Sequence, residues 1–241
     1  MIIEAVMNLI LLFPGDSTDE GVVRLTGRRR DHMLAVHRAA VGDELTVGIA
    51  GGRIGKGRVR KLDDDAIELA IALDADPPPP LDLTLIVALP RPKVMNRVVA
   101  AVASLGIKRL FLINSWRVDK SYWKSPRLSP DNLRLQSILG LEQGRDTVMP
   151  AIELRRLFRP FVEEELPELT RETAALVAHP YAAEECPRDV RGPVTLAIGP
   201  EGGFIEQEIA SLTRAGFRPV HLGSRIFRVE TAVAALAGRL K

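Results

Sequence analysis

The sequence predicts an α/β protein in two parts: a small N-terminal β-barrel, then an open, mostly parallel sheet covered by helices on both faces. Three observations carry that expectation. Four consecutive prolines, Pro77 to Pro80, interrupt the 241-residue chain; they can join neither a helix nor a central strand, and they form a stiff extended spacer. Before them lie short alternating segments with Gly-rich turns. After them, continuous apolar runs alternate with helical stripes, the pattern of parallel strands buried on both faces. The expected boundaries are residues 1–74 for the barrel, 75–80 for the linker and 81–241 for the sheet domain.

In the first part, Glu44 to Ile49 and Gly57 to Leu62 alternate in strand fashion around a glycine turn, Ala66 to Leu73 reads as another strand, and Arg30 to Val41 reads as a helix. In the second, Leu83 to Leu89 is a buried strand. Met95, Val98, Val99, Val102 and Leu105 stripe a helix stopped by Gly106. Ile107 to Ile113 is the next strand and Leu133 to Gln143 the next helix, with Leu135, Ile138, Leu139 and Glu142 at helical spacing. Ala174 to Ala178 and Val194 to Ile198 are strands. Ile205, Ile209 and Leu212 mark a helix ending at Gly216, Val220 to Leu222 a short strand, and Val229 to Leu240 a closing helix.

Composition excludes several classes. Hydrophobic residues at 46% and charged residues at 27% rule out a disordered, collagen-like or coiled-coil chain. The single cysteine, Cys186, rules out a disulfide framework and a Cys-rich zinc site, fits a reducing compartment, and reads as an ordinary buried thiol. No apolar run approaches the roughly 20 residues that span a bilayer. Met1 to Phe13 is apolar but lacks the basic start and cleavage site of a signal peptide, and Met7 is a possible initiator. The chain thus reads as soluble and cytoplasmic. No His/Asp/Glu cluster has metal-ligand spacing.

Charge is unevenly distributed although the net is only +2. Between Arg24 and Lys61 stand ten Lys or Arg (Arg24, Arg28, Arg29, Arg30, Arg38, Arg53, Lys56, Arg58, Arg60 and Lys61) against Asp31, Asp43 and Glu44, an excess of seven. Asp16, Asp19 and Glu20 flank it on one side and Asp63 to Asp65 on the other. A dense positive field suits a phosphate backbone; a solvated barrel face is the plainer reading of the same residues. The window lacks the interleaved aromatics of a single-strand stacking platform.

Two loops stand out. Ile198-Gly199-Pro200-Glu201-Gly202-Gly203-Phe204 runs from a strand end into a glycine loop and a helix, where glycines allow close approach of backbone to a ligand. It lacks the GK[ST] ending of a phosphate-binding P-loop, and G-x-G-x-x-G is absent, so nucleotide hydrolase and Rossmann readings fall. The second, Leu222-Gly223-Ser224-Arg225-Ile226-Phe227-Arg228-Val229-Glu230-Thr231-Ala232, also joins a strand to a helix. The helix dipole favours Glu230 there and opposes Arg225 and Arg228, so the arginines suggest an anionic ligand or a developing negative charge.

This pair of motifs, in order and near the C-terminus, closely resembles the signature of the RsmE-type methyltransferases of the SPOUT superfamily, which methylate N3 of uridine 1498 in 16S ribosomal RNA. Weaker similarity covers the rest of the chain: His32, Val36, Arg38, Gly42 and Asp43 resemble a pattern of that family's PUA-like barrel, and Leu105-Gly106-Ile107, Glu142-Gln143 and Ala178-His179-Pro180 resemble its E-L-G-V, E-Q and H-P elements. The sequence departs from the pattern at Met7 to Phe13, where the family has a basic-aromatic start, at Gln143-Gly144-Arg145, one residue shorter, and over Asn114 to Trp123.

The resemblance implies a SPOUT domain with a C-terminal trefoil knot, an exception to unknotted topology, and a homodimer with its active site near the interface. It implies S-adenosylmethionine held by His179, Pro180, Gly199, Pro200, Glu201, Gly202, Gly203, Leu222, Gly223 and Ile226, largely through backbone. The implied partner is 16S rRNA in the small ribosomal subunit, with no membrane and no metal. Attached to such a domain, the basic barrel becomes an RNA-docking module through Arg24, Arg28, Arg29, Arg30, Arg38, Lys56 and Arg58, reading backbone and shape. Methyl transfer from a sulfonium needs alignment. Uridine N3 also needs a base, or a field that stabilises the uridinate. Arg225 and Arg228 are candidates for the field, Glu201 and Glu230 for the base or for orienting an arginine. His179 reads equally as a structural strand end. Trp116 and Trp123 read as interface or core residues before base-stacking ones, although an extruded base would suit them. Two rivals stay open: another SPOUT reaction such as ribose 2′-O methylation, and a non-catalytic ribosome-assembly factor.

Overall fold

Alternation of apolar and polar residues shapes the N-terminal strands. In the computed structural model, which describes residues 8–19 and 21–241, the chain divides into two compact units. One comprises the residues up to Pro79 together with Ile138–Met149, the other Pro80–Ser137 and Pro150–Lys241. Met7 and Glu20, and most of the apolar start, lie outside the described residues.

The first unit contains β1 (Ile10–Leu12), β2 (Ser17–Asp19), β3 (Val22–Leu25), α1 (Gly27–Ala35), β4 (Glu44–Ile49), β5 (Ile54–Leu62) and β6 (Ile67–Ala75). The strands form one six-stranded sheet in the order β1-β4-β5-β6-β3-β2, curled into a half-barrel. In β5, Gly55, Gly57 and Val59 are buried while Lys56, Arg58 and Arg60 are exposed, so pleat geometry sends the basic residues outward. Ile10, Leu12, Val23, Leu25, Met33, Val47, Ile67 and Leu69 build the core. The helix expected over Arg30 to Val41 instead starts at Gly27 and ends at Ala35. Arg38, at φ 51°, sits in the left-handed region and cannot continue it.

The second unit contains β7 (Leu81–Ala88), α2 (Pro92–Ser104), β8 (Ile107–Ile113) and the start of α3 (Pro130–Gly144). Then follow β9 (Ala151–Arg155), α4 (Phe158–Pro160), a π-helical turn (Phe161–Glu165) and α5 (Leu166–Leu169). The chain closes with β10 (Ala174–Ala178), β11 (Glu184–Glu185), β12 (Val194–Ile198), α6 (Glu206–Arg214), β13 (Arg218–His221) and α7 (Val229–Leu240). Its seven strands run in the order β11-β13-β10-β12-β7-β8-β9, and every pairing is parallel. All five residues of β12 are buried, as a central parallel strand requires. Helix α2 turns Met95, Val98, Val99 and Val102 inward, and α7 turns Val233, Leu236 and Leu240. Cys186 is buried. Among the described residues no helix is long and apolar enough to cross a membrane, and no three His, Cys, Asp or Glu gather as metal ligands.

Register positions the site. Ala178 at the end of β10 is paired with both Ile198 of β12 and Val220 of β13. The loops that leave the carboxyl ends of these three neighbouring strands therefore emerge side by side, where open parallel sheets bind ligands.

Candidate active site

Each loop is held by backbone bonds. After β10, the His179 N–H donates to the Val220 carbonyl at 2.9 Å. Burial pushes the half-buried imidazole below its usual 6.5, which keeps it neutral at pH 7. After β12, the Gly203 N–H donates to the Pro200 carbonyl at 2.7 Å, closing a turn that takes Gly203 to φ 72°. Gly199 is pressed against this turn: a Cβ there would lie 2.8 Å from the Phe204 nitrogen and 3.0 Å from the Gly203 carbonyl carbon. After β13, His221 Nδ1 accepts from the Gly223 N–H at 2.8 Å, with Gly223 at φ 93°.

Together the loops border an open cleft of about 640 Å³, a volume that includes its solvent-filled mouth. His179, Pro180, Gly199, Pro200, Glu201 and Gly203 line it, as do Leu222, Gly223, Arg225 and Ile226. The walls between them are apolar, from Ile198, Val220, Val229 and Leu236. Gly202, Arg228 and Glu230 do not line it. The Gly202 carbonyl accepts from Arg117, Arg228 is the N-cap residue of α7, and Glu230 pairs with Arg97 at 3.0 Å. Glu201 is the carboxylate of the lining, and its Oε1 accepts from the Arg91 N–H at 2.9 Å. Arg225 is exposed and makes no ion pair among the described residues.

Residues 77–241 match the RNA methyltransferase domain family. The chain belongs to that family. Two relatives are both named ribosomal RNA small subunit methyltransferase E. That of Treponema pallidum is 28% identical over 233 residues, covering 94% of this chain and 88% of the relative. That of Mycobacterium bovis is 24% identical over 241 residues, covering 96% and 91%. Among solved structures, the same-named protein of Neisseria gonorrhoeae bound to S-adenosyl methionine superposes with a TM-score of 0.74 at 25% identity, covering 96% of this chain and 95% of that one.

Sequence reasoning missed several groups of this RNA methyltransferase-family site. His221 lines the cleft and fixes Gly223; its only signal was its place two residues before that glycine. Phe227 and Ala178 also line it. Arg91 and Arg117 brace the glycine loop from segments 110 and 85 residues away, a tertiary contact with no local signature.

The basic window also looks different in three dimensions. Arg28 forms two bonds with Glu142, at 3.0 and 3.2 Å. Arg29 forms two with Asp16, at 2.5 and 2.6 Å, and Arg30 binds Asp31 and the Asp63 carbonyl. Arg53 and Lys61 pair with Asp76 and Asp63. Arg24, Arg38, Lys56, Arg58 and Arg60 are exposed and make no ion pair among the described residues. The outward positive field is thus smaller than the charge count suggests, and it centres on β5. Trp116 is 79% exposed, which removes the core reading for it, whereas Trp123 packs against the core.

Proposed function

We propose that this chain is an S-adenosylmethionine-dependent rRNA methyltransferase that methylates N3 of uridine 1498 in 16S RNA. The observation that carries the reading is the convergence of three loops, from the registered ends of β10, β12 and β13, on one cleft of backbone groups and apolar walls. That cleft fits the cofactor: Gly199 leaves no room for a side chain, and Ile198, Val220 and Leu236 offer apolar surface to an adenine. When bound, S-adenosylmethionine supplies an electrophilic methyl on a cationic sulfonium.

The residues of the chain do the rest. Neutral His179 adds no positive charge beside a sulfonium. Glu230 is engaged by Arg97 away from the cleft, and Glu201 is engaged by the Arg91 amide. The arrangement therefore favours Arg225 as a field that stabilises the uridinate over a carboxylate base, with Glu201 positioning the glycine loop. The exposed cations Arg24, Arg38, Lys56 and Arg58 hold RNA phosphates, sequence-independently. With this reading go the homodimer, the knotted C-terminal segment and a cytoplasmic location alongside ribosomes.

The test is nucleoside mass spectrometry of small ribosomal subunits lacking 3-methyluridine, after incubation with the protein and S-adenosylmethionine. New 3-methyluridine is expected. Another methylated nucleoside, a 2′-O-methyl ribose among them, would overturn the target; no cofactor binding would overturn the enzyme.

Two further outcomes follow from the cleft. Gly199→Ala is expected to weaken cofactor binding at least about tenfold, because the new methyl meets backbone rather than a movable side-chain end; isothermal titration calorimetry reads it. For His179, the unfolded state takes its proton first as pH falls through 6.5, so this group lowers stability on acidification and leaves it level above pH 7. Cofactor affinity should be flat from about pH 7 to 8 and weaken only as pH falls below 6.5, where an imidazolium would come to face the sulfonium. In His179→Gln that acid limb should vanish.

A further inference from the structure

Ile205, just past the glycine loop, lines a second cleft that shares no residue with the first. Trp116 stands in it with its backbone fixed and its ring uncovered. The Trp116 N–H donates to Oε1 of buried Glu208 at 2.7 Å, and Oε2 of the same carboxylate accepts from the Ile205 N–H at 3.0 Å. The residue is 79% exposed. Next to it, Ser115 is 3% exposed, yet its hydroxyl has no hydrogen-bond partner among the described residues. Asn114, also in the lining, accepts at Oδ1 from the Trp123 indole N–H at 3.0 Å.

Phe158, Val118 and Val162 supply apolar walls. Of the cations in the lining, Arg159 is paired with Glu163 at 2.8 Å. Lys120 and Arg214 have no carboxylate partner among the described residues; Arg214 binds only the Ser211 hydroxyl.

A π-face, an apolar slot, polar groups at its floor and uncompensated cations are the parts that hold an unpaired nucleotide. We propose that this cleft takes one unpaired nucleotide of the RNA substrate, separate from the methyl-accepting one, with its base on Trp116 and its edge at Ser115. Lys120, Arg159 and Arg214 against Glu163 and Glu208 leave the lining with a net positive charge, which together with the exposed Trp116 favours a nucleotide over a second copy of the chain. This inference rests on the RNA-methylation reading above.

The test uses the full-length protein and 16S RNA transcribed with 5-bromouridine. Irradiation followed by peptide mapping is expected to place an adduct on the peptide carrying Trp116. Trp116→Ala should weaken RNA binding about fivefold or more, as loss of one stacked base does, while Trp116→Phe retains most of it. Cofactor affinity and sedimentation should match the parent protein. Ser115→Ala should weaken RNA binding with melting temperature level or raised, since it removes an unpartnered buried hydroxyl; a merely structural serine would lower it.

Unchanged affinity in Trp116→Ala with no adduct there overturns the proposal. So does a lower sedimenting mass in that variant, which would make the cleft a face between copies. If the parent protein itself binds neither RNA nor cofactor, the functional reading falls, and this inference with it.

Discussion

Arg225→Ala is expected to lower single-turnover methylation by about 10²–10³-fold, the usual cost of removing one preorganised stabiliser of developing charge. Cofactor affinity should stay within about twofold, because the loop that carries Arg225 is fixed by backbone: the Gly223 amide is held by His221 Nδ1, independently of the arginine side chain. Arg225 lines the cleft, is exposed, and has no carboxylate partner among the described residues to offset its charge. It is thus available to the carbonyl oxygens that gain charge as N3 loses its proton. Arg225→Lys should restore part of the rate, since a point charge survives without the planar fork. Arg228 provides the contrast. It occupies the N-cap position of α7 without a side-chain capping bond and lies outside the lining, so Arg228→Ala should leave the saturated rate unchanged and reduce the salt dependence of RNA binding by about one phosphate contact. Equal rate losses at both positions would sink this division of labour.

That division was half visible in the sequence. Two arginines ahead of a helix start signal a negative partner, but which of them turns to the cleft depends on where the loop leaves β13. The sheet was legible because its strands are continuous apolar runs: Leu83 to Leu89, Ile107 to Ile113 and Val194 to Ile198 each fall within a residue or two of an observed strand. Strand β9 was missed because Ala151–Arg155 is only half-buried and alternates weakly. Strand β11 was missed because two exposed glutamates carry no hydrophobic pattern. The end of α3 groups with the first unit, although residue spacing along one continuous helix cannot say which core each turn joins. The cofactor loops were legible as motifs because glycine is needed where backbone meets backbone, as at Gly199. The braces at Arg91 and Arg117 were not, since each acts across a fold.

Charge counting failed for a different reason. It sums residues near in sequence, while Asp16 and Glu142 neutralise Arg29 and Arg28 from 13 and 114 residues away. Arg28→Met separates a phosphate contact from an internal pair. Glu142 is fully buried and accepts from Arg28 through both oxygens and from the Leu11 N–H at 3.4 Å. Burial raises its pKa above 4.5, opposed chiefly by Arg28. Removing one member of a buried pair costs roughly 3–5 kcal/mol. Arg28 is 41% exposed, so water offsets part of this, and a loss of about 2–3 kcal/mol is expected.

The sign of the pH dependence follows from the same carboxyl. With its folded pKa raised, Glu142 takes a proton in the folded state first, so the cost of burying its charge is present above the raised pKa and shrinks as pH falls toward 4.5. Arg28→Met raises that pKa further, so the deficit of the variant should be largest at pH 7–8 and narrow toward pH 5. Adding Glu142→Gln should recover part of the loss, because an amide has no charge to leave unpaired. Thermal unfolding of the full-length variants across that range measures all three. An unchanged melting temperature, together with a salt slope for RNA binding shallower by one contact, would instead return Arg28 to the RNA-binding face.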